Sequence, residues 1–334
     1  MGNPTIHDVA RVAKTSKSTV SRFLNGYAVR KETEVALRTA IQSLNYHPNV
    51  NARRLVKNKT RVIGIVVDDI ANNFYADIFR GIEKVANLHG YQCTYYSRKS
   101  NLQGEFGFMN LAQERQFDGL ILISFLKLSN ELISRLEELT IPVVLIGDAN
   151  QNETIFSVDI HNELGIREIV RYLHRIGHEK IAYISGPDEF SATYWRRKGY
   201  ESELKDLGLE LNPDWVISSD WSESGGHQAM KKLLAIRGIT AVIASNDEMA
   251  IGALLCASEL GYKVPKDISI VGFDNIPVSR WVNPPLTTSK QPLLKMGESA
   301  AKGLIKQLSG EMEGLSGRQL LDPNLVVRQT CRSL

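Results

Sequence analysis

Cysteine is scarce: the chain has three, Cys93, Cys256 and Cys331, far apart and with no Cys-x-x-Cys pair. Such spacing supports neither a disulfide framework nor a thiolate metal site, and leaves three reduced thiols. Long apolar runs are missing too. None approaches the ~20 residues that cross a bilayer, and "MGNPTIHDVA" has no apolar signal-peptide core. The expectation is a cytoplasmic protein without membrane contact. Also absent are GxGxxG, a P-loop and GxSxG, which removes the usual dinucleotide, nucleotide and hydrolase signatures. Ser, His and Asp stand at no spacing that singles out a triad. His174 and His178 are four apart, but "HRIGH" places Gly177 between them and offers no third ligand, so a helix end is expected rather than zinc. Neither an enzyme nor a cofactor is expected.

What is present is a chain of 334 residues, 43% hydrophobic and 23% charged. That composition is soluble and globular, and the length suits two or three domains. The net charge of +3 hides a segregation. Residues 1–61 carry twelve Lys/Arg against three acids, a surplus of nine, so the remainder sums to −6. A basic module on an acidic body points to a polyanion at one end only.

Three helical patterns fill the first 45 residues. Ile6, Val9, Ala10 and Ala13 form one apolar stripe, with Thr5 as N-cap and Asp8 completing a short-armed capping box. A second helix runs from an N-cap at Ser16 to Asn25, with Val20, Phe23 and Leu24 turned inward. A third, near Lys31 to Leu44, buries Leu37, Ala40, Ile41 and Leu44. Helix, tight turn, helix is the arrangement that lays its second helix in the DNA major groove. The outward positions of that helix are Lys17, Ser18, Ser21, Arg22 and Asn25. Lys and Arg donate to guanine, and Ser bonds base edges or phosphate. Lys14, Thr19 and Asn25 are better placed for phosphates, setting register without reading sequence. A helical hairpin packed on another domain is the plain alternative.

Next comes "YHPNVNARRLVKNKT", residues 46–60, where Pro48 interrupts the helix pattern. The stretch is polar and basic, and any helix in it is too short to be stable alone in water. From Val62 the texture changes. The runs "VIGIVV", "LILIS", "VVLIG", "IAYIS", "AVIAS" and "ISIVGF" alternate with amphipathic stretches, which indicates an α/β body of parallel sheets covered on both faces. Two doubly wound lobes fit its length better than one sheet, with a ligand between them at the carboxyl ends of the strands.

The opening stretch "TIHDVARVAKTSKSTVSRFLNG" resembles the LacI/GalR family of bacterial transcriptional regulators. So do "YHPNVNARRL", "VIGIVVDDIANNFYADIFRGIE", "RRKGY", "ASNDEMAIGAL", "VPKDISIVGFDN" and "PPLTTSKQP", in the family's order and over nearly the whole chain. The resemblance implies a small all-α helix-turn-helix head and a body whose two doubly wound parallel-sheet lobes are like those of periplasmic sugar-binding proteins. It implies a DNA-binding domain over 1–47, a hinge segment over 48–60 and a two-lobed effector and dimerisation domain over 61–334. Lobe 1 would take about 61–160 and 291–322, lobe 2 about 161–290 and 323–334.

The same resemblance implies that Lys17, Ser18 and Arg22 read operator bases, and that Ala52 and Leu55 lie on a minor-groove hinge helix with Leu55 as wedge. An apolar wedge unstacks a flexible step, at a cost recovered by wider contact. For the effector, it points to Phe74, Tyr75 and Asp148 from the first lobe. From the second lobe come Arg196, Trp221, Asn246 and Asp274, with Gln291 near the crossover. An apolar indole face with Arg, Asn, Asp and Gln suits a polyhydroxylated ligand. An arginine also pairs phosphate or carboxylate, so a sugar, a sugar acid and a sugar phosphate all stay open. The plain readings are aromatics in the core and Asn246 as a helix cap.

Departures from the family pattern are Lys14-Thr15 in place of Gly-Val in the turn, and Arg30 before helix 3. Asp68 and Asn73 stand where prolines are usual, and Asn275 replaces an aspartate. The function so implied is a sequence-specific transcriptional regulator, expected to be a repressor, that binds operator DNA as a homodimer under the control of a small effector. Some members of the family use a phosphorylated carrier protein as co-effector, but nothing in these residues demands one. The chain's end, "LVVRQTCRSL", has no heptad pattern for a tetramer. A transport solute-binding protein would share the body but carry an export signal and no basic head.

Overall fold

The structure is a computed structural model, and it describes residues 4–46, 59–98, 107–147, 154–312 and 315–334. The chain divides into two compact units between Thr60 and Arg61.

The first unit holds three helices, α1 (Ile6–Val12), α2 (Lys17–Leu24) and α3 (Lys31–Ser43). Thr5 opens α1 with the expected capping box: its hydroxyl accepts from Asp8 N, and the Asp8 carboxylate accepts from Thr5 N at 3.0 Å. Ser16 Oγ accepts from Thr19 N at 3.1 Å and so starts α2. Arg30 precedes α3 without any side-chain cap.

All three helices close in the same way. A left-handed residue (Lys14 at φ +49°, Gly26 at +80°, Asn45 at +47°) follows the cap. The next amide then reaches back to the third-last carbonyl of the helix: Thr15 N to Ala10 O, Tyr27 N to Arg22 O, and Tyr46 N to Ile41 O. This double-bonded ending satisfies carbonyls the helix leaves open. Val9, Ala10, Ala13, Val20, Leu37, Ala40 and Tyr46 form the small core, and Phe23, Leu24, Ile41 and Leu44 close over it.

The second unit contains two six-stranded sheets. The first is built from β1 (Val62–Val67), β2 (Gln92–Ser97), β3 (Gly119–Ile123), β4 (Val143–Ile146), β5 (Ser157–Ile160) and β11 (Arg318–Leu321). They lie all parallel in the order β11-β5-β4-β3-β1-β2. The second comprises β6 (Ile181–Ser185), β7 (Val216–Ser218), β8 (Ala241–Ala244), β9 (Ser269–Asp274), β10 (Thr287–Lys290) and β12 (Asn324–Val326). Its order is β12-β10-β9-β8-β6-β7, with only β12 antiparallel.

Helices cover both faces, which is why the inner strands are apolar throughout. In β1, Ile63, Ile65 and Val67 face α4 (Ala76–Leu88) and α11 (Leu293–Ser309). Val62 and Val66 join Phe108, from α5 (Gly107–Gln113), and Leu132, from α6 (Asn130–Glu137). Around the second sheet stand α7 (Asn162–Arg175), α8 (Ser191–Asp206), α9 (Glu223–Leu234) and α10 (Asp247–Glu259). The end of α7 at Arg175 separates His174 from His178. His178 is buried, bonded to Thr240 Oγ1 at 2.9 Å and to Arg332 O at 3.1 Å.

In each sheet the winding reverses once, between β1 and β3 and between β6 and β8. At such a reversal the loops leave the carboxyl ends in opposite directions and open a crevice. The chain passes between the sheets three times, from β5 to β6, from β10 to β11 and from β11 to β12. After β10 it enters α11, which lies tightly along α4. A Cβ on Gly81 would stand 2.2 Å from Leu294 O, and one on Gly297 would stand 2.1 Å from Ile78 O. Only glycine admits this approach, and it fixes the start of α11 directly after Gln291.

Candidate functional site

In the head, α2 presents Lys17, Ser18 and Arg22 exposed, with Thr19, Ser21 and Asn25 half-buried beside them. The hydroxyls are already organised: Ser16 Oγ lies 2.7 Å from Ser18 Oγ and 2.8 Å from Thr19 Oγ1. The Arg22 guanidinium sits 5.9 Å from the centre of the Tyr27 ring, within cation–π reach. Asn25 is committed in part, because it caps α2 and its Nδ2 donates to Ser21 O at 2.8 Å. Lys14 is exposed at the turn. Tyr27 is not among the sequence candidates of this unit, and its aromatic ring five residues after Arg22 is the signal that could have found it.

In the body, the two carboxyl edges meet. Leu126, just beyond β3, makes an antiparallel bridge with Phe190, beyond β6. Lys127 N donates to Glu189 O at 3.0 Å, and Lys127 Nζ to Asp188 O at 2.8 Å. Inside this tie lie aromatic walls. On the first lobe Phe74 meets Tyr75 and Phe125 edge-on, at centroid distances of 5.6 and 5.5 Å. Tyr75 stacks between Phe79 and Phe125, and its burial pushes the phenol far above its ordinary pKa. On the second lobe Phe190 stands edge-on to Trp221 at 5.7 Å. Trp221 takes a left-handed backbone (φ +69°) and lays its ring on Gly186, where a Cβ would come within 2.2 Å of it.

Arg196 organises the second lobe's floor. It is only 5% exposed. Its Nε donates to Asn162 Oδ1 at 2.7 Å and its Nη1 to Ser245 O, while its plane lies 4.0 Å from the Phe273 ring centre. Its Nη2 faces Asp274 Oδ1 at 3.5 Å, and the same oxygen accepts from Gln291 Nε2 at 2.5 Å. Burial raises the Asp274 carboxyl to about 6, against the opposing pull of Arg196 and Gln291. Asn246 is occupied twice: its Oδ1 caps α10 at Met249 N, and its Nδ2 holds Trp221 O, both at 2.9 Å. Both the capping role and the placement beside Trp221 are therefore present in one residue.

Buried polar atoms at this edge without a partner among the described residues include the Trp221 Nε1–H donor and the Gln291 Oε1 acceptor, with the Ser185, Ser219 and Ser289 hydroxyls. Unpaired buried groups are costly and mark places where something else binds. On the first lobe, at the ends of β1, β2 and β3, Arg98 Nη1 meets Asp68 Oδ1 at 3.1 Å and Ser124 Oγ meets Asp68 Oδ2 at 3.3 Å.

The structure thus gathers Phe74 and Tyr75 on one lobe, and Arg196, Trp221, Asn246, Asp274 and Gln291 on the other. Asp148, Ala52 and Leu55 lie outside the described residues. Phe125, Phe190, Asn162, Ser245 and the Asp68–Arg98 pair are not singled out as site residues by sequence; only their position at strand ends distinguishes them. No helix among the described residues is long and apolar enough to cross a membrane.

Comparison with known proteins decides the family. Residues 5–49 match the model of bacterial regulatory proteins, lacI family, and residues 170–331 match a periplasmic binding protein-like domain. The HTH-type transcriptional repressor CytR of Escherichia coli (strain K12) is 35% identical over 332 residues, covering 99% of this chain and 97% of that protein. The chain belongs to the lacI family of bacterial regulatory proteins. Among solved structures of the family, the lac repressor dimer bound to operator and the anti-inducer ONPF superposes with a TM-score of 0.88. It is 29% identical, with 99% of this chain and all of that chain covered. A complex of the transcriptional regulator CelR with cellobiose gives 0.75 at 31% identity, covering 98% and 99% of the two chains. As a lacI-family member the chain is a DNA-binding regulator of transcription, not an enzyme.

Proposed function

We propose that this protein is a cytoplasmic repressor that grips a near-palindromic operator as a homodimer and changes its grip when a small polyhydroxylated molecule enters the cleft of the body. The observation that carries the reading is the pair of unpartnered atoms, Trp221 Nε1 and Gln291 Oε1, beside a charged, hydrogen-bonded floor and between aromatic walls. The head supplies the other half: Lys17, Ser18 and Arg22 for base edges, Lys14, Thr19 and Asn25 for phosphates. For a phosphate only the Asn25 Nδ2 amide can donate, and one of its hydrogens already goes to Ser21 O.

One three-helix head reads only a short half-site, so two copies on a two-fold operator are expected. We take 48–60 as the hinge, with Ala52 and Leu55 in the minor groove, ordering on DNA and responding to closure of the lobes. Relatives named as repressors support the sign of control. The CelR–cellobiose complex supports a sugar-like ligand, as does the chemistry of the cleft.

The test is fluorescence anisotropy on genomic fragments against random duplex, with and without candidate ligands, at several salt concentrations. Specific binding that shifts with a ligand is expected, and affinity should fall steeply with salt because the first 61 residues carry a surplus of nine positive charges. Equal binding to every duplex, unaffected by any metabolite, would remove the reading.

A further inference from the structure

We infer that Tyr27 is a positioning residue of the DNA-reading surface, its ring holding the Arg22 guanidinium in the orientation that meets a base. That role rests on Arg22 reading a base, as proposed above, and adds one residue to the same surface.

Backbone geometry brings the two together. Helix α2 ends at Leu24, Gly26 turns the chain at φ +80°, and Tyr27 N donates back to Arg22 O at 3.0 Å. This closing bond ties Tyr27 to the last turn of the helix that carries Arg22. The ring is not drawn inward: Tyr27 is 63% exposed and lies outside the small core, which closes over Phe23, Leu24 and Val29 instead. Its neighbour is the guanidinium, whose central carbon stands 5.9 Å from the ring centre.

Other arginines of these helices are spent close to home. Arg11 meets Asp8 and Arg38 meets Glu34, each at 2.7 Å and within one helix. Arg22 has no carboxylate partner among the described residues, and the Tyr27 ring stands beside it. An arginine on an open surface has several rotatable bonds, and fixing them on binding costs affinity. An aromatic ring against the guanidinium removes part of that freedom beforehand. It does so without using a donor, because the ring attracts the cation through its π face while hydrogen bonds leave from the guanidinium rim. The fork can then reach the O6 and N7 acceptors of a guanine. Exclusion of water in a groove strengthens the attraction further. Leucine would fill similar space without a π face, and phenylalanine keeps the face without the hydroxyl.

In the experiment, full-length protein selects its preferred duplex from a random library, and anisotropy titrations compare that duplex with a scrambled one. Guanines of the selected duplex are replaced one at a time by 7-deazaguanine, which lacks the N7 acceptor. The guanine whose replacement weakens the natural protein but not Arg22→Ala is the one Arg22 reads. On the intact selected duplex Tyr27→Leu should lose about fivefold or more and Tyr27→Phe less than about twofold, with neither changed on the scrambled duplex. Without that N7, or in an Arg22→Ala background, Tyr27→Leu should cost nothing further. Melting temperatures matching the natural protein's check that these exposed-site variants keep the fold.

A tyrosine that merely shapes the turn gives a different result. Tyr27→Leu then weakens both duplexes alike, or keeps its full cost once the N7 is gone. Either result overturns the inference, as does the absence of any loss on the selected duplex. If no guanine depends on Arg22, the base-reading role of Arg22 fails as well, and Arg22→Ala alone reveals it.

Discussion

Lys14 sits at φ +49° in the turn between α1 and α2, a region where a side chain is disfavoured by about 1 kcal/mol or more. The family's usual glycine at this position differs from Lys14 in chemistry, yet the backbone retains the left-handed geometry. The exposed lysine side chain there meets no crowding that would add to this strain. Lys14→Gly is expected to stabilise the head by about 0.5–1 kcal/mol in urea denaturation. The same change should weaken binding to all duplexes alike. Asp274 is the other residue whose energetics can be read out singly. Burial lifts its folded value to about 6, above an ordinary 3.8, so the folded body holds that proton more tightly than the unfolded chain does. Its contribution to stability is full below 3.8 and is lost as pH rises through 6. Relative to Asp274→Asn, the natural body should be more stable at pH 4.5 than at pH 7.5 by about 2 kcal/mol, measured by denaturant titration.

At the level of elements, the six apolar runs legible in the sequence became β1, β3, β4, β6, β8 and β9, all inner strands. Edge strands β2, β7, β11 and β12 are partly exposed and carry no such signal. Two inner strands also escaped, for a different reason. β5 is "SVDI" and β10 is "TTSK", yet Ser157, Asp159, Thr287, Thr288 and Ser289 are buried. Three of these side chains are spent on distant partners: Asp159 on Arg318 at 2.6 Å, Thr288 on Asp247 at 2.5 Å, and Thr287 Oγ1 on Arg328 N at 2.9 Å. A pattern rule sees hydrophobicity, and these pairings span 41 to 159 positions of chain. The site divides likewise. Arg196 and Asp274 were legible through motif, but Asn162 and Ser245, which saturate the arginine, become neighbours only in the folded lobe. For the hinge, Leu55→Ala should weaken operator binding at least tenfold and random duplex hardly at all, by filter binding or anisotropy. Equal losses on both would remove the wedge.

The proposed homodimer on a two-fold operator requires a self-association surface on the molecule. Trp281 is 80% exposed and Val278 46%, on the short 3-10 turn Pro277–Arg280 and the residue after it. The turn is braced from beneath by Arg328, which donates to Ser279 Oγ, Leu286 O and Asn275 Oδ1. A rigidly held, solvent-facing indole suits the centre of a protein interface. Trp281→Ser is expected to weaken self-association tenfold or more in analytical ultracentrifugation, with operator affinity falling in step and the monomer's fold retained. A dimer unchanged by the substitution would place the contact elsewhere.

The bridge between Leu126 and Phe190 carries a last consequence. With the outer rims already stitched by main-chain bonds, the body meets its ligand with jaws touching. Any separation of the two lobes at this rim has to break those main-chain bonds first.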